Sequence, residues 1–161
     1  FLEILRIACV GVCFCADTLK FPPWFKFGSA SSAYQIEGAW NVSDKSENKW
    51  DRITRVSPNV TSDRGNGDVA CDSYHLWKRD VEMASELGLE FYRFSINWPR
   101  LLPSGFANYI SQDGKNYYSN LIDGLLEKGI EPIITLYHEE MPQILQELGE
   151  CERVLVVSKF P

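Results

Sequence analysis

The 161-residue sequence contains only two histidines and, beyond its first fifteen residues, only two cysteines, Cys71 and Cys151. Two cysteines are too few for a disulfide framework, and no Cys/His spacing matches a metal site. Cys71 is expected to be buried and Cys151 to stand alone. No run of lysine and arginine occurs, and the formal net charge is -6. A phosphate-tracking surface is thereby excluded, and nucleic acid is not an expected partner. No apolar stretch is long enough to span a bilayer.

The apolar stretch that does occur, residues 7–14, has the length of a signal-peptide core. Small residues at Cys13 and Cys15 would permit cleavage, so residues 1–15 read as a leader and the expected location is secreted or extracellular. Two sequons, Asn41-Val42-Ser43 and Asn59-Val60-Thr61, agree with that route and make Asn41 and Asn59 candidate glycosylation sites. The polar segment 41–67, with Pro58, Gly65 and Gly67, reads as a long surface loop.

Beyond that segment the pattern is regular. Tyr74, Trp77, Val81, Ala84 and Leu87 recur in steps of three or four, which predicts a helix over residues 68–87. Gly88 follows where a left-handed C-terminal residue is wanted. Residues 89–96 then alternate as a strand, with Tyr92, Phe94 and Ile96 on one side and Phe91, Arg93 and Ser95 on the other. A second helix is predicted over residues 113–128, its apolar stripe formed by Tyr118, Leu121, Ile122, Leu125 and Leu126. Gly129 closes it before a β-branched strand over residues 132–137. The junctions Glu86-Leu87-Gly88-Leu89-Glu90 and Glu127-Lys128-Gly129-Ile130-Glu131 repeat one pattern. This rhythm settles an α/β class with a parallel sheet, while leaving an open doubly wound sheet and a closed barrel both possible.

Four stretches narrow the choice. Residues 25–39 read Phe-Lys-Phe-Gly-Ser-Ala-Ser-Ser-Ala-Tyr-Gln-Ile-Glu-Gly-Ala. Residues 67–75 read Gly-Asp-Val-Ala-Cys-Asp-Ser-Tyr-His, and residues 91–100 read Phe-Tyr-Arg-Phe-Ser-Ile-Asn-Trp-Pro-Arg. Residues 136–138 read Leu-Tyr-His, with Pro142-Gln143 beyond them. In their order and spacing these stretches resemble glycoside hydrolase family 1, the β-glucosidase-like enzymes, over about residues 21–149.

The resemblance implies the N-terminal part of a (β/α)8 TIM barrel, about three of eight strands, with residues 19–149 belonging to it and 150–161 forming an unrelated tail. It also implies hydrolysis of β-glycosides with retention, a glycoside or glycan as partner, and neither metal nor organic cofactor. Gln35 corresponds to a glutamine that holds sugar hydroxyls; read without the resemblance, it is a loop amide bonding nearby backbone. His138, just past the 132–137 strand, corresponds to a sugar-binding histidine.

Arg93 points into the barrel centre if Tyr92 and Phe94 pack against helices, and it would need a carboxylate partner there. The resemblance makes it the residue that orients the nucleophilic glutamate. A surface arginine on an edge strand is the alternative. His75 reads as structural.

Two departures stand out. Glu139-Glu140-Met141 replaces the family's usual Trp-Asp-Leu, which predicts an altered sugar pocket. Adjacent residues on an extended segment point opposite ways, so Glu139 and Glu140 are not a ready-made acid/base pair. The Asn-Glu-Pro and Glu-Asn-Gly motifs that carry the family's two catalytic carboxylates do not occur, so no residue here is assigned catalysis. An unclosed sheet edge and wet apolar faces are expected to make the chain poorly soluble or partly molten on its own.

Overall fold

The computed structural model describes residues 20–149. The expected leader and the tail at 150–161 lie outside the described residues. In chain order the elements are β1 (Gly28–Ala30), α1 (Ala33–Ile36), α2 (Lys49–Val56), α3 (Ser73–Glu86), β2 (Phe91–Ser95), α4 (Trp98–Leu101), α5 (Gln112–Glu127), β3 (Glu131–Thr135) and α6 (Gln143–Glu147). A 3-10 turn, Pro58–Val60, lies between α2 and α3.

The repeated glycine junction has a physical explanation. Gly88 and Gly129 have φ of +68° and +72°, the left-handed region that only glycine enters without a Cβ penalty. Leu89 N–H donates to the Ala84 carbonyl at 3.1 Å and Gly88 N–H to that of Ser85 at 3.0 Å. Ile130 N–H and Gly129 N–H make the equivalent bonds to Leu125 and Leu126, each at 2.9 Å. Both helices therefore end in a Schellman motif, which satisfies terminal carbonyls and turns the chain into a strand.

The sheet is parallel in the order β1-β2-β3, with Ala30 opposite Arg93 and Arg93 opposite Ile133. It is one arc of a (β/α)8 barrel. Tyr92 and Phe94 share one side of β2, as alternation requires, and that side faces the helices. Phe94 belongs to a buried cluster with Val81, Leu121, Leu125 and Ile130, and Tyr92 packs against it. The α5 stripe is rotated from its expected position. Leu126 is exposed, and Tyr117 is buried beside Tyr118 with its ring 5.1 Å from that of Tyr74. The buried face runs through Gly114, Tyr117, Tyr118, Leu121 and Leu125, and Leu126, nine residues from Tyr117, falls on the opposite side of the helix from it. Leu125 is fully buried. Leu125→Ala is expected to destabilise the chain by about 2–5 kcal/mol in urea unfolding.

Two expectations fail. The 41–67 segment is not a long loop, because α2 lies within it. Asn48 and Asp51 form a reciprocal capping box at its start, and both are buried, Asn48 at 0% exposure and Asp51 at 2%. Polar composition concealed a helix whose inward face is itself polar. Cys71 is exposed rather than buried; it sits in the turn before α3, which packs through Ser73, Val81 and Ala84 instead.

Among the described residues, β1 and β3 each pair on one side only. Ile133, Ile134 and Leu136 on the β3 side retain considerable exposure, in keeping with an unclosed barrel.

Candidate functional site

Because the three strands are parallel, their C-terminal ends release the chain on the same side of the sheet. β1 leads through Ser31 and Ser32 into α1, which carries Gln35. β2 leads through Ser95 to Asn97, and β3 leads to the segment containing His138, Glu139 and Glu140. The third wall comes from α2. Residues on either side of Asn48 pair with the chain around Pro142: Lys49 N–H donates to the Met141 carbonyl at 2.9 Å, and Gln143 N–H to that of Glu47 at 2.8 Å. This short antiparallel contact sets Trp50 and Thr54 beside the β3 segment.

The result is a pocket of about 340 Å³ lined by Gln35, Trp50, Thr54, His138, Glu139 and Glu140, among others. Gln35 and His138 thus meet in one site although the sequence separates them widely. A hollow of similar size, about 320 Å³, lies on the outer helix layer between Trp77 and Gly124. The strand-end pocket is the functional candidate, because barrel chemistry concentrates at the C-terminal ends of strands.

Arg93 adjoins the pocket. Its Nε donates to Thr135 Oγ1 at 2.6 Å, and its Nη2 lies 3.3 Å from His138 Nδ1. A guanidinium has no acceptor, so Nδ1 must accept and the imidazole proton sits on Nε2. His138 is thereby poised to donate from Nε2. Arg93 makes no ion pair with a carboxylate among the described residues. His75 is exposed on α3, with Nδ1 2.6 Å from Asp72 Oδ1, remote from the pocket lining. Asn41 and Asn59 are both exposed, and Val60 and Thr61 of the second sequon reach the pocket rim.

Glu139 and Glu140 occupy opposite environments. Glu139 has φ of +69° and an exposed carboxylate 3.7 Å from Lys49 Nζ. Glu140 is 1% exposed. Burial pushes its carboxyl up to about 7, aided by nearby Glu37. The Tyr34 N–H, its own N–H and Ser95 Oγ pull the other way. The adjacent carboxylates diverge, although the chain is not extended there, since Glu139 has a left-handed backbone.

Beneath the pocket lies a buried charge network that sequence reasoning missed. Glu37 Oε2 accepts from Arg100 Nε at 2.8 Å, and Glu37 Oε1 accepts from Tyr118 Oη at 2.6 Å. Asn97 Nδ2 also donates to Glu37, and Arg100 Nη2 donates to the Gly38 carbonyl. Burial drives the Tyr118 hydroxyl far above its ordinary value, with Glu37 acting in the same sense. For Arg100 burial acts downward, but Glu37, Tyr118 and Tyr117 together outweigh it and the guanidinium is held more firmly charged. A second buried pair, Lys45 and Asp51 at 2.7 Å, locks the start of α2. Burial lowers Lys45 despite the opposing pull of Asp51. Glu37 and Arg100 both stand inside the quoted motifs. Only their 63-residue separation kept their pairing out of reach of local pattern.

Comparison with known proteins agrees with this fold. The profile described as Glycosyl hydrolase family 1 matches residues 17–161. Myrosinase 1 of Brevicoryne brassicae is 52% identical over 130 residues, covering 81% of this chain and 28% of that protein. Beta-glucosidase 11 of Oryza sativa subsp. japonica is 48% identical over 80% of this chain and 24% of its own length. The human lactase/phlorizin hydrolase is 45% identical over 88% of this chain and 7% of its own length.

Among solved structures, an aphid myrosinase superposes with a TM-score of 0.80 at 51% identity, covering 81% of this chain and 28% of that one. A rice beta-glucosidase mutant in a covalent complex with Glc superposes with a TM-score of 0.76 at 41% identity, covering 81% and 27%. The chain therefore spans roughly a quarter of the first two relatives and of both solved structures.

Proposed function

Since the chain belongs to glycosyl hydrolase family 1, we propose that it supplies one wall of the glycone site of a retaining β-glucosidase-type enzyme. Gln35 and His138 contact sugar hydroxyls, and Arg93 is the cation that orients a nucleophilic glutamate. The observation that carries this reading is the convergence of Gln35 and His138 on one strand-end pocket. A side-chain amide both donates and accepts, so Gln35 can engage two neighbouring hydroxyls. The Nε2–H of His138 supplies a further donor. Arg93 makes no ion pair with a carboxylate among the described residues, which leaves its charge for an incoming carboxylate. O-linked β-glucosides are the proposed substrate class, the β-glucoside part in keeping with relatives such as Beta-glucosidase 11, and secretion with glycans at Asn41 and Asn59 is the proposed setting.

The 161 residues by themselves bind without turning over. Retention requires two carboxylates about 5 Å apart acting on one bond. The family's two motifs for them are absent, and Glu139 and Glu140 diverge. The chain is expected to give no hydrolysis of 4-nitrophenyl β-glucoside above buffer. Turnover abolished by Glu139→Gln or Glu140→Gln would overturn this reading.

Binding is tested by titrating phenyl β-glucoside against the intrinsic tryptophan fluorescence. Gln35→Ala and His138→Ala are each expected to weaken affinity by about 5- to 10-fold, the value of a hydrogen bond or two. Equal affinity in native and variant chains would remove these residues from the site.

A further inference from the structure

The short helix α1, which carries Gln35, lacks an ordinary N-terminal cap. Its N-cap residue, Ser32, makes no capping bond. Instead Ser32 Oγ donates to Gln35 Oε1 at 2.7 Å, tethering the side chain proposed to meet sugar. The first amides of α1 are satisfied from distant parts of the chain. Ala33 N–H donates to Ser95 Oγ at 2.8 Å, beyond the middle of β2. Tyr34 N–H donates to Glu140 Oε1 at 3.1 Å, across 106 residues. Ser95 Oγ also lies 3.5 Å from that same oxygen. The other oxygen of Glu140, Oε2, is buried with no hydrogen-bond partner among the described residues.

A four-residue helix has little stability of its own. Its orientation therefore depends on what holds its first turn, and that hold comes from the ends of the other two strands. We propose that Glu140 is a positioning residue: it caps α1 across the strand ends, holds Gln35 opposite His138, and releases that hold when it is protonated. An ionised carboxylate is the stronger acceptor for an amide, so the cap is tight when Glu140 is charged and slack when it is neutral. Burial places the change near neutrality, with the carboxyl at about 7.

Several groups surround Glu140. Tyr34 and Glu37 lie on and just beyond α1, and Ser95 lies on β2. His138 and Glu139 are on its own segment, with Lys49 of α2 facing Glu139. Only the consequence for ligand affinity rests on the reading of Gln35 and His138 as sugar contacts; the cap itself does not.

The test is a pH titration of the 15N-labelled 161-residue chain from pH 5 to 9, without sugar. The Tyr34 backbone amide and the Gln35 side-chain amide are expected to shift together with a midpoint near 7, and Glu140→Gln is expected to abolish both titrations. A Tyr34 amide that stays flat while the chain remains folded overturns the proposal. So does a titration that survives Glu140→Gln, or one that vanishes in His138→Gln instead. If Glu140→Gln does not fold, the Glu140 carboxyl carbon of the native chain must share the midpoint of the Tyr34 amide, and separate midpoints overturn the cap.

Phenyl β-glucoside affinity is expected to fall about fivefold from pH 8 to pH 5.5, the loss associated with a helix cap. Titrating amides with a flat affinity profile would retain the cap and dismiss the sugar-contact reading, so the two failures are distinguishable.

Discussion

Replacing Arg100 with methionine is expected to destabilise the chain by about 3–5 kcal/mol, the cost of leaving a buried carboxylate without its partner. Arg100 is 1% exposed and Glu37 is 2% exposed, so water cannot substitute for either. The guanidinium also stacks over Tyr74, with its carbon 4.2 Å from the ring centroid. The network joins the end of α1 to α4 and α5, which makes it the fastening between the first β/α unit and the next. Glu37→Gln combined with Arg100→Met is expected to recover a substantial part of the loss, because no buried charge is then left unpaired. Urea unfolding of dilute native, single-variant and double-variant chains measures this directly. A single variant as stable as the native chain would show that the pair is not under tension from desolvation, contrary to the burial described.

The second large effect is on stability as a function of pH. The carboxyl of Glu140 is raised by burial from an ordinary value of 4.5 to about 7. The folded chain therefore holds this proton more tightly than the unfolded chain does. Between these values the folded state keeps Glu140 neutral while the unfolded state ionises it. The contribution from this group is fully present below about pH 4.5 and is lost as pH rises through about 7. The difference corresponds to about 3 kcal/mol across the window.

Glu140→Gln, neutral at every pH, is expected to flatten that part of the profile and to leave the chain more stable than the native one at pH 8. Urea midpoints at pH 5, 6, 7 and 8 check the slope; identical profiles for native and variant would exclude Glu140 as its source. The sense is opposite to that of the proposed cap, which strengthens as the carboxylate ionises. A favourable amide contact at a buried site does not outweigh the desolvation of the charge that makes it, so ionisation can tighten α1 while lowering stability as a whole.

Where sequence reading succeeded, the signal was local. The 3.6-residue periodicity of Val81, Ala84, Leu121 and Leu125 follows from helix geometry within a few turns. The left-handed glycines at 88 and 129 follow from sterics at single residues. Alternation puts Tyr92 and Phe94 on one side of β2, and the buried cluster shows that this side faces the helices. Glu139 and Glu140 do diverge, but through a left-handed turn at Glu139 rather than through the extended backbone expected there.

Where sequence reading failed, the missing information was long-range. Helix α2 escaped notice because Asn48 and Asp51 look like solvent-facing residues until Lys45 and the chain around Pro142 cover them. Glu140 gave no hint of burial, because the groups that enclose it come from α1 and β2. Tyr117 joins the inward face because α3 brings the Tyr74 ring against it.

By itself, then, the sequence determined the alternation of helix and strand, the places where helices end, and the family through its four motifs. Each of these depends on residues close together along the chain. The tertiary structure alone decided which polar groups lose water, which charges pair, and that Gln35, Trp50 and His138 share one pocket. Those outcomes depend on contacts closed across many tens of residues. A buried carboxylate and an exposed one are the same letter until the chain has folded around one of them.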